Sequence, residues 1–243
     1  MTGSPLQPLI AQTVIPEFER GGSCVRENHT FCWTWFRDHW GDTFAPALLQ
    51  HIVLTVIAVG VGFAIAMAAA LLAHRRGWFE APFTIVSGIL YTIPSLALFQ
   101  LLVPITGLTT ATVEVALVSY TLLILFRNIL TGLRGVPEEV REAARGMGLR
   151  PNQILLRVEL PLALPAIIAG LRVAVVTVIS LATVGALIVD KGLGAPIFSS
   201  ISSPFNTAFI AAGALAVGLA LASDAILVAF QRIASPWASL RRG

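Results

Sequence analysis

Apolar runs of membrane-crossing length dominate the chain. A bilayer core about 30 Å thick needs roughly 20 apolar residues per helix. Five stretches meet that length, at about 51–73, 82–106, 111–134, 162–189 and 206–231. Gly and Pro inside them do not argue against helices, because membrane helices tolerate both. The pattern predicts an all-α, polytopic membrane protein with about five spans. A tail over 1–47 precedes a transmembrane domain over 48–232, and a second tail runs over 233–243.

The polar positions between the runs set an orientation. His74, Arg75 and Arg76 separate the first two runs. Arg134, Arg141, Arg145, Arg150 and Arg157 lie between the third and fourth, with Arg127 at the end of the third, and Arg232, Arg241 and Arg242 follow the fifth. These eleven arginines share one side if the N-terminus is outside, and Arg20, Arg26, Arg37 and Lys191 fall on the other. Basic residues accumulate on the cytoplasmic face. The N-terminus is therefore expected outside a plasma (inner) membrane and the C-terminus in the cytoplasm. The first thirty residues lack the basic start and apolar stretch of a cleaved signal peptide, so the spans themselves are expected to drive insertion.

Composition narrows the function. The chain is 56% hydrophobic and 12% charged, whereas soluble domains carry about 25% charged residues. Its fifteen arginines and single lysine punctuate apolar runs rather than forming a basic domain, which argues against nucleic-acid binding. A P-loop needs a lysine after its glycines, and the only one, Lys191, follows Asp190 on the outer side. Neither H-E-x-x-H nor G-x-S-x-G is present, so a membrane enzyme is disfavoured.

In the external tail, FCWTWFRDHWGDTF repeats Trp33, Phe36, Trp40 and Phe44 at helical spacing. This predicts a short amphipathic helix in the outer interface, either a belt of anchoring aromatics or a docking surface for an external partner. Cys24 and Cys32 are the only cysteines and both lie in this tail. Disulfides persist outside the membrane, so a bridge is the expected state. His29 and His39 interleave with them, but the spacing matches no standard zinc pattern and no metal is expected.

The loop at 135–161 is the most informative segment. Pro137, Glu138 and Glu139 suit the start of a helix. Val136, Val140, Ala143 or Ala144, and Met147 form an apolar stripe along it. Gly148 can end it in a left-handed cap. Pro151 begins a second short helix that Leu160-Pro161 is expected to end. The hairpin is too small to bury its own stripe, so a partner protein is expected to cover it.

These residues resemble the EAA loop of permeases of binding-protein-dependent ABC importers, E-A-A-x3-G-x9-I-x-L-P. The matching positions are Glu142, Ala143, Ala144, Gly148, Leu160 and Pro161, with Val158 where the family has Ile. TIPSLALF (92–99), ARGMG (144–148) and VELPLALPAIIAGLR (158–172) are similar to the osmoprotectant branch, which takes up glycine betaine, carnitine, choline or proline. One departure is the Gly-rich segment after the fourth span, where Asp190 and Lys191 replace small residues. The resemblance implies a type I ABC importer permease fold in a bacterial membrane, acting as a dimer with a second copy or a similar permease. It also implies an external substrate-binding protein and a cytoplasmic P-loop ATPase dimer that docks on the loop. ATP and magnesium would sit on that ATPase, with no cofactor in this chain. A permease for an amino acid such as methionine would share the loop. The reading from a different class is a secondary transporter, which an odd span count and the lack of a clear internal repeat fit poorly.

Inside the membrane, charged residues are functional candidates by default. Arg172 in the fourth run and Asp224 in the fifth are expected at similar depth and form a candidate ion pair, either a fixed pin or a gate. Pro94 breaks the second run among Tyr91, Thr92 and Ser95. This segment either lines the pathway or is a satisfied kink. Glu114 and Asn128 are expected near the two ends of the third span.

Overall fold

The computed structural model describes residues 22–202 and 204–236; Arg20, Arg241, Arg242 and the outer parts of both tails lie outside them. Among the described residues every regular element is helical. Two short helices, α1 (Ser23–Arg26) and α2 (Trp33–Asp38), precede a π turn at Trp40–Phe44 that runs directly into α3 (Ala45–Arg75). Then come α4 (Glu80–Thr92), α5 (Ser95–Thr106), α6 (Thr110–Arg134), α7 (Glu138–Gly146), α8 (Pro151–Ile154), α9 (Leu160–Gly185), α10 (Gly194–Ser202) and α11 (Asn206–Ala234).

Four helical segments are long and apolar enough to cross a membrane, Trp40–Arg75, Thr110–Arg134, Pro151–Gly185 and Asn206–Ala234. The α4–α5 pair is a fifth apolar unit, bent by 101°. At 1.5 Å per residue each half is roughly 20 Å long, too short to cross alone. Contacts along α6 show how the pair runs. Glu80, at the start of α4, accepts from Arg134 at the end of α6, at 2.6 Å. Ile93, at the bend, accepts through its carbonyl from the hydroxyl of Tyr120, midway along α6. Thr106, at the end of α5, meets Thr112 in the first turn of α6, at 2.7 Å. The pair therefore passes from one end of the bundle to the other as a broken span, not as a hairpin returning to one side.

The break follows from Pro94. Its ring disfavours helical geometry at the preceding residue, and Ile93 is extended, with ψ of 128°. A carbonyl freed in hydrocarbon needs a partner, and Tyr120 supplies it.

The core lies where α3, α6 and α9 meet. On α3, Ala66, Ala69, Ala70 and Ala73 are buried at helical spacing. Small residues let membrane helices approach closely. A Cβ at Gly132 of α6 would lie 2.9 Å from that of Ala166 on α9, and one at Gly170 of α9 would lie 2.5 Å from that of Asn128 on α6. At the N-terminal end of α11, Val25, Cys32, Trp35 and Phe44 pack with Phe205, Ala208, Ala211 and Ala212.

Two expectations change. The helix that starts at Pro151 does not end at Leu160-Pro161 but continues through a π turn at Leu155–Glu159 into α9. In a regular helix the Pro161 ring would press on the carbonyl of Arg157. The wider turn, closed by a bond from the Leu160 amide to the Leu155 carbonyl, relieves that clash. In the tail the four aromatics do line up, Phe36 meeting Trp33, Trp40 and Phe44, but they are carried by α2 and the π turn rather than by one regular helix, and Trp35, outside that stripe, is buried. Trp35 and Phe44 are buried, whereas Trp33 is 64% exposed. The tail folds as a cap on the start of α11, with Trp35 and Phe44 inside the contact and Trp33 left at its exposed edge.

Candidate functional site: the loop between α6 and α9

α7 is closed at both ends by its own sequence. Glu138 in its first turn accepts from Arg141 at 3.0 Å and from Arg145 at 2.9 Å. These hydrogen bonds, that of Arg141 foremost, hold the Glu138 carboxyl below its ordinary value. At the other end Gly148 adopts φ +79°. Its amide bonds to the Arg145 carbonyl at 2.9 Å and the Leu149 amide to that of Ala144 at 3.2 Å. This is the Schellman arrangement, which favours glycine at the left-handed position.

The stripe on α7 is divided. Val136 and Ala144 are 4% and 1% exposed and face the bundle. Glu142, Ala143 and Gly148 are exposed, as are Val140 and Met147, the latter at 73%. Leu160 and Pro161 are half-buried in the first turn of α9, apart from this surface. The loop thus presents an outward apolar face of Val140, Ala143 and Met147, held rigidly on the bundle.

Within the spans, Arg172 of α9 grips Asp224 of α11 with two parallel bonds, Nε to Oδ1 at 2.7 Å and Nη2 to Oδ2 at 3.0 Å. Bidentate geometry of this kind fixes orientation as well as distance. Both side chains remain about one-third exposed. At the bend, Tyr91, Thr92 and Pro94 are exposed and Ser95 is half-buried. The Thr92 hydroxyl bonds back to the Ile89 carbonyl at 2.8 Å, and the Tyr91 ring meets that of Tyr120 edge-on at 6.0 Å.

The tail is cross-linked by a Cys24–Cys32 disulfide. The Cys32 amide donates to the Thr207 hydroxyl at 2.9 Å, and Asn28 accepts from the Asn206 amide at 3.0 Å. Trp35 stacks on His39 and meets Phe205 edge-on. Among the described residues no group of three or more His, Cys, Asp or Glu side chains is placed to hold a metal ion.

Three polar residues that pattern reasoning passed over pair inside the bundle, His51 and Glu159 buried and His74 half-buried. His51 is fully buried in α3. Its Nδ1 accepts from the Leu193 amide at 3.2 Å, so Nε2 carries the proton and donates to the Ile179 carbonyl at 3.0 Å. A polar side chain heading an apolar run was the available signal. His74 and Glu159 meet at 3.0 Å although 85 residues apart, and nothing local announces that pairing.

Comparison with known proteins follows the same lines. The family described as binding-protein-dependent transport system inner membrane component matches residues 60–236. The osmoprotectant import permease protein OsmW of Salmonella typhimurium is 35% identical over 79% of this chain and 92% of its own length. The choline transport system permease protein OpuBD of Bacillus subtilis is 36% identical over 85% of this chain and 88% of its own. The ergothioneine transport permease/ergothioneine binding protein EgtU of Helicobacter pylori is 42% identical over 60% of this chain, but the match spans only 26% of that longer protein. Among solved structures, a chain of the MetNI methionine ABC transporter in an inward-facing conformation superposes with TM-score 0.65. It shares 22% identity and is covered over 95% of its length by 76% of this chain. That likeness shows the fold.

Proposed function

Because the chain belongs to the family of inner-membrane components of binding-protein-dependent transport systems, we propose that it is the permease through which a separate ATPase drives uptake of quaternary-ammonium osmoprotectants such as glycine betaine, carnitine or choline. Its place as an osmoprotectant-family ABC permease subunit that couples to an ATPase rests on that match and on full-length relatives at 35% and 36% identity. ATP hydrolysis belongs to the ATPase, not to this chain.

The observation that carries the coupling reading is the outward face of α7. Val140 and Met147 are exposed beside Glu142, Ala143 and Gly148, on a helix whose other face is bolted to the bundle. An apolar face on a rigid mount is suited to a cleft in the ATPase. Ala143 permits close approach to the partner, Ala144 permits close approach of α7 to the bundle, and Glu142 can meet a cation on the ATPase. An external binding protein supplies the solute, and a second copy of this chain or a similar permease completes the pathway beside Tyr91, Thr92, Pro94 and Ser95. The arginine-rich end of the bundle, with α7, faces the cytoplasm by the positive-inside rule.

Ergothioneine is the second reading of the substrate, favoured by the 42% identical segment of the Helicobacter protein. Like glycine betaine and carnitine it is a trimethylammonium zwitterion, and with the choline cation it shares the trimethylammonium group, so both readings share one ligand chemistry. The test is uptake by cells producing this permease with its ATPase and binding protein, using labelled glycine betaine, carnitine, choline, ergothioneine and methionine. Uptake of one quaternary ammonium supports the reading, and uptake of methionine alone overturns it. Met147→Asp places a charge on the docking face and is expected to lower co-purification of the ATPase at least tenfold while leaving the amount of inserted chain unchanged. An undiminished complex would remove α7 from the contact.

A further inference from the structure

A buried ionic junction lies behind the docking face. We infer that Glu159 is the positioning residue that makes the coupling helix move as one body with the spans, by joining α7 to α3 at the head of α9. The inference rests on the reading of α7 as the ATPase contact.

Glu159 occupies the unspecified position of the I-x-L-P segment, between Val158 and Leu160. Its side chain is 8% exposed. Oε1 accepts from Arg141 Nε of α7 at 2.7 Å, and Oε2 lies 3.0 Å from His74 Nε2 in the last turn of α3. The Arg141 guanidinium, on a side chain 15% exposed, spends its remaining bonds on Glu138 of α7 at 3.0 Å and on the Leu133 carbonyl in the last turn of α6 at 2.8 Å. Three helices, α3, α6 and α7, and the π turn that leads into α9 thus meet at one carboxylate and one guanidinium.

The chemistry of the junction differs from that of the packing around it. A carboxylate this buried persists only when paired, so both partners are held in place whenever it is charged. Val136 and Ala144 also fix α7 to the bundle, but apolar contacts are non-directional and allow sliding. The bonds of Arg141 and Glu159 are directional and charge-assisted, which fixes the angle of α7 as well as its distance. Glu159, the residue immediately before α9, stands in line with the face of that helix that carries buried Ala163, Ile167 and Ala174. A tilt of α7 therefore acts on the core face of α9 and, through His74, on the end of α3.

The test uses a distance measured by paired spin labels at Gly146→Cys, on α7, and Arg76→Cys, just beyond α3. Both positions are exposed, and a Cβ at Gly146 meets nothing within 4 Å. Labels are read in the permease–ATPase complex in nanodiscs, nucleotide-free and trapped with ATP and vanadate. With Glu159 present the distance is expected to be narrow and the same in both states, since α7 and α3 travel together. In Glu159→Gln, which keeps the shape and removes the charge, the ATPase is expected to co-purify within twofold of the parent, while the distance broadens and shifts on trapping. A narrow, unshifted distance in Glu159→Gln would overturn the inference. If the parent chain binds no ATPase, the reading of α7 fails instead, and broadening in the isolated permease still decides whether Glu159 holds the junction. Should Glu159→Gln not insert, His74→Gln removes the α3 side alone and is judged by the same two outcomes.

Discussion

Glu114 and Arg172 show two fates of a charged side chain in a span. Arg172 has a bidentate partner. Both oxygens of Glu114 in α6 are buried with no hydrogen-bond partner among the described residues. An unpaired carboxylate in that setting destabilises the fold unless it is protonated or a group from another chain reaches it. Glu114→Gln removes the charge at nearly constant volume. It is expected to raise the thermal midpoint of the isolated chain. A loss of more than about 1 kcal/mol, the scale of a broken hydrogen bond, would show that the carboxylate holds a partner. Gly170 is constrained by space instead, because a methyl group there would meet Asn128 at 2.5 Å. Gly170→Ala is expected to destabilise the α6–α9 contact by about 1–3 kcal/mol, as overpacking does, read as a lower midpoint in detergent.

At the scale of elements, α11 packs along α9 and α10 and is tied down by specific contacts at two places. Its first turns are buried under the disulfide-linked cap, and farther along, where none of its most apolar stretch is buried, Arg172 and Asp224 join it to α9. If the pair is a pin, Arg172→Gln and Asp224→Asn each leave an unpaired charge in the membrane, and the double variant is expected to do less harm than either alone. A double-mutant cycle on midpoint and transport measures this, and an interaction term near zero would show that the pair does not pin α11 to α9. That pair was legible in the sequence because both residues interrupt apolar runs at similar depth. The bend was legible for a similar reason, since Pro94 stands inside a run. The junction around Glu159 was not, because its members lie on separate segments, each beside other charges that looked solvent-facing. The continuous helix through Leu160-Pro161 was missed because a proline is an ordinary stop signal, and a π turn that accommodates it leaves no mark on composition. The cap was missed because FCWTWFRDHWGDTF carries aromatics on both faces, so spacing alone could not say that Trp35 is the anchor.

For the whole molecule the crossings impose a geometric constraint. α3, α6, α9 and α11 each run the length of the bundle, and the contacts of α4–α5 with α6 carry that pair from one end to the other. Five passes leave the cap of α1 and α2 at one end and the α6–α9 loop with the last turn of α11 at the other. Orientation is therefore a single binary choice for every functional surface. With α7 in the cytoplasm the docking face meets the ATPase, and the exposed aromatics of the cap, Trp33 and Trp40, lie outside where Trp favours the membrane interface. The reverse orientation would strand α7 away from ATP. Single cysteines at Trp33→Cys and Met147→Cys distinguish the two, because both side chains are exposed and the native cysteines are bonded to each other. A membrane-impermeant maleimide added to intact cells is expected to label the first and to reach the second only after the membrane is opened. The opposite pattern would overturn the docking role of α7 and, with it, the placement of the external binding protein, since one rigid bundle fixes both.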